Sequence, residues 1–437
     1  MGIAAAGLLS VIAAIRMVSL IAQLPSRSTQ VDYSIYYTSA YLMRHGEDPY
    51  TTSLNSVAPA FGMRIRYIPG ATDPPAFLLM FEPLTILGPE EGYWTWQALN
   101  ALALAVSLWM LLGRGSGLRP DVAIALAALA LMYPAVINHF YYAQSKMPLL
   151  LLLVVTMRLL ESRRDIAAGL ALALAGLTRI VPLLLLGYLL IERRWRAIAS
   201  TVIGVIGGLI ATGLMIGFPV EFSFVNAIRV LTGTRVLRFD TNVALSSFVS
   251  RLYWASFGVD PSAGIEALRH ATIAGAALAV AALTCLATLR TAPAEDRDSR
   301  AFSLWVVIVI LLSPTAWIFN MVILFIPFGQ ICSAARYGRA SRWTIALAAA
   351  SYTLLMIGCP WGCVGYSGEL FYMLASRAGI NIEPIARQTA TLSLLLAWAA
   401  AFAFARSGER TERSIPASAR SWPPVDAPQP SNADANV

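Results

Sequence analysis

The sequence predicts an all-α, polytopic membrane protein of about twelve transmembrane helices. Three observations carry that expectation. Of 437 residues, 57% are hydrophobic and 13% are charged, against roughly 25% charged in a soluble domain. A chain of this composition, with mean hydropathy +0.65, cannot cover itself with a water-compatible surface, so lipid must be its main solvent. Apolar runs recur along almost the whole length. The linkers between them also alternate in kind: short and arginine-bearing, then long and chemically varied. The net charge of +8 is spread over linkers, which points to membrane topology and not to a nucleic-acid partner.

The first apolar run, Gly2 to Leu24, lacks the basic start of a signal peptide, is followed closely by a polar, aromatic stretch, and reads as a retained span. Arg16 within it faces protein or snorkels. Residues 25–92 form a large first outer loop. Inside it, Ile35–Met43 fits a short amphipathic helix. The piece Ala76–Leu87, opened by Asp73-Pro74-Pro75 and closed by Gly88-Pro89, is too short to span ~30 Å of hydrocarbon and reads as re-entrant or interfacial. Later apolar runs cover Tyr93–Leu112, Asp121–Ile137, Met147–Leu160, Ile166–Leu177, Ile180–Ile191, Ala197–Gly217, Gly264–Leu289, Ala301–Phe319, Met321–Ala335, Trp343–Gly358 and Ile385–Ala405. The two short runs flanking Thr178-Arg179 suit one broken pair dipping into a cavity.

Alternate linkers read RGSGLRP, ESRRD, ERRWR, RTAPAEDRDSR and RYGRASR. Short arginine-rich linkers mark the cytoplasmic side. Both termini fall there, including a Pro-, Ser- and Arg-rich tail over 406–437 expected to be disordered. The long loops, 25–92, 218–263 and 359–384, share the other face with the turns around His139–Lys146 and Arg179. The transmembrane domain is thus 1–405. Cys359 and Cys363, in the last outer loop, fit either a disulfide or two free thiols.

Asp32 lies about one turn past the first span. A carboxylate next to low-dielectric material keeps a raised pKa and accepts a proton near neutral pH, although the same position suits an N-cap. Asp48 and Asp73 occupy the same loop and remain alternatives. Arg179 offers a bidentate donor set to a phosphate, or a structural ion pair. Lys146 is the only lysine and a second cation for a phosphate. Arg251 suits phosphate binding or loop closure. His139 reads as a hydrogen-bonded structural residue or a polar group of the site. The aromatics of the first loop, Tyr36 and Tyr37 among them, suit an interfacial belt or sugar stacking. No Walker loop, HExxH or CxxC pair occurs, which argues against an ATP-driven pump or a zinc protease.

The run Asp32-Tyr33-x-x-Tyr36-Tyr37-x-x-Ala40, then Gly46-x-x-Pro49-Tyr50, resembles the first outer loop of glycosyltransferase family 87. Further segments follow in family order. Asp73-Pro74-Pro75 resembles a Tyr-Pro-Pro segment, with aspartate in place of tyrosine. Ala143-Gln144-Ser145 resembles Gly-Gln-Val-Asn, keeping the glutamine. Arg179 with Pro182 resembles Lys-x-x-Pro, with arginine for lysine. Asn242 to Arg251 resembles an Asn…Ser…Arg loop. Ser313-Pro314 with Trp317 resembles Ser-Pro-x-x-Trp, followed here by Asn320 where a histidine is frequent.

The resemblance implies a GT-C-like enzyme of a bacterial inner membrane, similar to the polyprenyl-phosphate-mannose-dependent mannosyltransferases. On that pattern Asp32 is the general base. Arg179, Lys146 and Arg251 hold the donor phosphate, and Tyr36, Tyr37, His139, Gln144, Trp317 and Asn320 contact substrate. The donor would be a polyprenyl-phosphate hexose, the acceptor a lipid or glycan, with no metal or cofactor required. The alternative is a lipid-linked-sugar flippase or secondary transporter, which shares the broken helices but would favour an internal repeat; none is visible.

Overall fold

The computed structural model describes residues 2–27, 32–65, 71–231, 237, 239, 241–258, 262–291, 296–358, 377 and 388–407. Cys359 and Cys363, most of the last outer loop and the tail beyond 407 lie outside these residues. The described chain is α-helical throughout; its one strand-like feature is an isolated antiparallel bridge between Asn242 and Trp317.

The helices are α1 (Ile3–Gln23), α2 (Asp32–Arg44), α3 (Leu54–Val57), α4 (Pro75–Phe81), α5 (Pro89–Leu112), α6 (Pro120–Met132), α7 (Pro134–Tyr142), α8 (Lys146–Glu161) and α9 (Asp165–Thr178). They continue with α10 (Leu185–Ile191), α11 (Trp195–Ile216), α12 (Phe218–Leu231), α13 (Leu245–Phe257), α14 (Ala263–Leu289), α15 (Arg297–Leu311), α16 (Phe325–Arg336), α17 (Arg342–Gly358) and α18 (Thr389–Arg406). Six helical stretches among the described residues are long and apolar enough to cross a membrane, or seven if the bent pair α6–α7 is one span. The remaining apolar helices, such as Asp165–Thr178 and Arg342–Ile357, are shorter than a full crossing needs. The expected count near twelve therefore depends on short helices that length and composition alone do not qualify. The chain is nonetheless a multi-pass membrane protein: its long helices leave side chains such as Leu214, Met215, Leu278 and Trp109 about 70% exposed, which only lipid tolerates.

Prolines reshape two expected runs. The run Asp121–Ile137 is bent by 52° because Pro134 has no N–H to donate and holds Tyr133 extended at ψ 132°. The run Ala301–Phe319 is not one helix either. Helix α15 stops at Leu311, Ser313-Pro314 interrupts it, and Ala316–Ile318 extends to pair with the 241–243 segment, where Val243 N–H donates to Ala316 O and Ile318 N–H to Thr241 O. A short 3-10 turn, Ile318–Leu324, then leads into α16. The 218–263 segment, expected as a loop, carries two helices, α12 and α13. Elsewhere the boundaries follow the apolar pattern closely, including the break between α9 and the Val181–Ile191 segment at Arg179.

All five arginine-bearing linkers gather at one end. The tight α8–α9 and α10–α11 turns place Arg163 and Arg193 at φ 58° and 54°. Beside them Arg194 donates to Asp165 at 2.9 Å and also pairs with Asp298. Arg297 pairs with Glu192 at 3.1 Å, and Ser299 donates to Glu161 at 2.5 Å. Arg158 reaches Met110 O at 2.6 Å, and Ser333 reaches Ser116 O at 2.7 Å. These bonds lace the 113–119, 161–165, 192–196, 296–300 and 336–342 segments together. Between α9 and α11 the approach is close: Thr201 donates to Gly169 O at 3.1 Å, and a Cβ at Gly169 would collide with Ala197 O.

Arg194 is buried and balances two carboxylates, so truncation would leave Asp165 unpaired and Asp298 with only the exposed Arg163 at 3.8 Å. Arg194→Ala is expected to destabilise the fold by about 3–5 kcal/mol, read as a lowered midpoint in detergent thermal unfolding; an unchanged midpoint would refute the clamp.

Candidate active site

The opposite end of the bundle holds a cluster of buried polar groups assembled from four distant segments. Asp32 opens α2, outside the spans, where a carboxylate is favoured by the helix dipole. Aromatic packing sets the direction of that helix. Tyr33 donates to Pro89 O at 3.0 Å and Tyr37 to Leu87 O at 3.1 Å. Tyr36 lies edge-on to Phe77 with ring centres 5.2 Å apart. These contacts fix α2 against α4 and the start of α5.

The second segment is the turn between α7 and α8. Ala143 ends α7 in the left-handed region at φ 50°, a conformation that costs a non-glycine residue about 1–2 kcal/mol. Trp96 Nε1 holds it by donating to Ala143 O at 3.0 Å, while Gln97 donates to Phe140 O at 2.8 Å. The turn projects Gln144, Ser145 and Lys146 toward α2. Gln144 accepts from the Tyr36 hydroxyl at 3.0 Å and donates through Nε2 to Asp32 Oδ2. One side chain therefore orients both the tyrosine and the aspartate.

Arg179, at the end of α9, is the third contribution. Its Nη2 lies 2.5 Å from Asp73 Oδ1 and 3.3 Å from Ser145 Oγ. Asp73, just before α4, is the fourth; it is 1% exposed, and its backbone oxygen accepts from Tyr50 at 2.5 Å. Arg179 Nε is buried with no hydrogen-bond partner among the described residues. Lys146 is buried as well, with Nζ 3.4 Å from Ser145 Oγ and 5.6 Å from the centre of the Phe319 ring. None of the described ion pairs involves it. Burial pushes the Asp32 carboxyl up to about 6, and the charge on Asp73 adds to this. Lys146, Arg179 and the hydrogen bond from Gln144 oppose the shift.

The structure thus brings together Asp32, Tyr36, Gln144, Lys146 and Arg179 of the residues expected at the site. It places others apart. Arg251 is held by Phe239 O, Asn242 O, Ser247, Gln388 and Thr391 at 2.7–3.2 Å; it fastens the 239–247 segment to the start of α18. Tyr37 is committed to the Leu87 carbonyl. His139 is fully buried, with Nε2 2.9 Å from Asn100 Oδ1, and joins α7 to α5. Trp317 packs on Phe239 and forms the bridge to Asn242. Asn320 is half-buried, with Oδ1 lacking a partner among the described residues. Its segment reaches the cluster through Phe319 over Lys146. Asp48 accepts from Tyr50 N–H at 2.9 Å, capping its own turn.

Sequence reasoning missed Ser145, which sits between both cations, and the ion-pair partnership of Asp73 and Arg179. The available signal was that positions 73 and 179 both depart in charge or shape from the family pattern. No group of three or more His, Cys, Asp or Glu residues is arranged to hold a metal among the described residues.

A sequence model of glycosyltransferase family 87 matches residues 71–314. That is more than half of the chain. The protein belongs to glycosyltransferase family 87. No curated protein and no solved structure matches it. This glycosyltransferase accordingly acts on a sugar donor and an acceptor at a membrane. The matched stretch contains Asp73, Gln144, Lys146, Arg179 and Arg251; Asp32 and Tyr36 precede it.

The network makes two variants move the Asp32 titration in opposite directions. Gln144→Ala removes a hydrogen bond that favours the carboxylate, so the Asp32 midpoint is expected to rise. Asp73→Asn removes a neighbouring negative charge and releases Arg179, so it is expected to fall. The midpoint is read by NMR of selectively labelled aspartate or, where Asp32 limits turnover, from the acid limb of the pH–rate profile.

Proposed function

We propose that the protein transfers a hexose, mannose being the first choice, from a polyprenyl-phosphate donor to a lipid-linked or glycan acceptor, with inversion at the anomeric carbon. The observation that carries this reading is the pairing, in one buried cluster, of a carboxylate with a midpoint near 6 and two cations adjoining a shared serine. Asp32 takes the proton of the acceptor hydroxyl as its oxygen attacks the anomeric carbon. The bond from that carbon to the phosphate oxygen breaks, and the lipid phosphate leaves with the electron pair. Arg179 and Lys146 receive that charge. The leaving group needs no proton, so a second acid is not required. Gln144 and Tyr36 keep the carboxylate oriented. We assign Tyr37, His139 and Arg251 to supporting this arrangement and not to touching substrate.

The reading extends to topology. The arginine-laced end lies in the cytoplasm with both termini, and the cluster lies toward the outer face of a bacterial inner membrane. The positive-inside rule supports this, as does the separation of the two ends along α5 and α8.

Asp32→Asn tests the base. Transfer from a polyprenyl-phosphate sugar is expected to drop about a hundredfold or more, and retained turnover would remove Asp32 from the mechanism. The wild-type rate is expected to fall as pH drops through about 6, as the base becomes protonated.

Stability carries an independent sign. Folding raises the Asp32 pKa, so this group's stabilising contribution is present below its unfolded value of roughly 4 and is lost as pH rises through about 6. Asp32→Asn cannot ionise and is therefore expected to raise the thermal midpoint above pH 6 and to leave it unchanged below pH 4. A lowered midpoint at pH 7.5 would contradict the assigned burial.

A further inference from the structure

At the arginine-bearing end, α5, α6, α16 and α17 enclose an apolar groove of about 270 Å³. Leu111, Leu126, Phe328, Cys332, Ala348 and Tyr352 are among its walls. The lining residues on α16 run from Phe325 to Ala335, roughly 15 Å at 1.5 Å per residue. This lies far from Asp32: α5 meets the candidate site at Trp96 and Gln97 and the groove at Leu108–Leu112.

The mouth of the groove is chemically different from its walls. The two linkers that join these four helices, 113–119 and 336–342, are themselves tied together. Ser333 donates to Ser116 O, and Gly117 at φ 67° leaves room for the Tyr337 hydroxyl, which a Cβ would overlap. On this tied corner Arg336, Arg339 and Arg342 are all exposed. None of the three appears in an ion pair among the described residues; the first two flank the Tyr337 ring at 5.9 and 5.6 Å, and Arg342 lies over Trp343 at 5.7 Å. Tyr337 and Trp343 are 57% and 64% exposed, as befits amphipathic rings at a membrane–water boundary. An apolar groove thus ends next to three guanidinium groups that have no ion-pair partner among the described residues.

We propose that this groove binds one anionic diacyl phospholipid, with an acyl chain between α5, α6, α16 and α17 and its phosphate at Arg336, Arg339 and Arg342. Charge complementarity selects the headgroup, since a zwitterionic lipid would leave the arginines unbalanced. The chain-lined slot selects a lipid over a free phosphate. The bound lipid would join the α5–α6 hairpin to the α16–α17 hairpin where their side chains leave a gap.

The full-length protein in detergent, examined by native mass spectrometry, tests this without reference to transfer activity. Phosphatidylglycerol is expected to bind at one molecule per chain, about tenfold more tightly than phosphatidylcholine with the same chains. The exposed triple variant Arg336→Gln/Arg339→Gln/Arg342→Gln should bind both lipids alike, at the weaker level. Ala349→Trp, at an exposed position lining the groove, should lose the first bound lipid of either kind. Four results would overturn the proposal: equal affinity of the wild type for the two lipids, a preference that survives the triple variant, undiminished uptake by Ala349→Trp, or displacement of the lipid by glycerol 3-phosphate alone.

Discussion

The charge balance around Arg179 is the constraint on which the active end of the molecule depends. A carboxylate and an ammonium, Asp73 and Lys146, are buried beside a half-buried carboxylate and guanidinium, Asp32 and Arg179. Any one of them alone would meet a desolvation penalty of several kcal/mol. Asp73 answers Arg179 directly at 2.5 Å, and Lys146 and Arg179 both temper the charge on Asp32. Because each group is tolerated only in the company of the others, the segments that carry them are compelled to meet. Helix α2, the lead-in to α4, the α7–α8 turn and the end of α9 are therefore held in one place by electrostatics as much as by packing. The unpartnered Arg179 Nε leaves one donor of this set in reserve.

Most of the helices were legible in the sequence, since apolar runs bounded by arginine, glycine or proline specify them nearly to the residue. The runs that misled were those where a proline lay inside an unbroken apolar stretch. Pro134 and Pro314 each remove a backbone donor, yet hydropathy does not register that loss. At Ala316–Ile318 the freed backbone is satisfied by a bridge to residues 241–243, a pairing across some 70 positions that no local pattern encodes. The helices α12 and α13 were hidden for the opposite reason. Their polar residues resemble a loop beside the much more apolar spans around them.

The site was legible in part, and residue type decided which part. Asp32, Gln144, Lys146 and Arg179 stand out because a polar group beside an apolar run is conspicuous. Arg251 was equally conspicuous, but its five donors are used up by carbonyls, hydroxyls and the Gln388 amide, so it acts as a brace. Ser145 was invisible because serine occurs everywhere. Only the convergence of Nζ and Nη2 on its hydroxyl gives it a meaning. Asp73 and Arg179 show how two departures from a family pattern, each puzzling alone, become intelligible as partners: an acid in place of tyrosine touches a cation that is a guanidinium in place of an ammonium.

The two ends of the bundle use charge for different purposes. At the arginine-bearing end the buried cations have fixed carboxylate partners: Arg194 with Asp165 and Asp298, Arg300 with Asp296. Such closed pairs hold helices in register and leave no charge for a ligand. In the Asp32 cluster the pairing is open. Lys146 has a hydroxyl and an aromatic face in place of a carboxylate, and Arg179 shares its one acid with a site that contains a second acid of raised pKa. A closed network resists change, whereas an open one can accept an arriving anion without first breaking a bond to every cation. That difference in how the charges are balanced, more than their number, is why we assign chemistry to the Asp32 cluster and fastening to the arginine-bearing end.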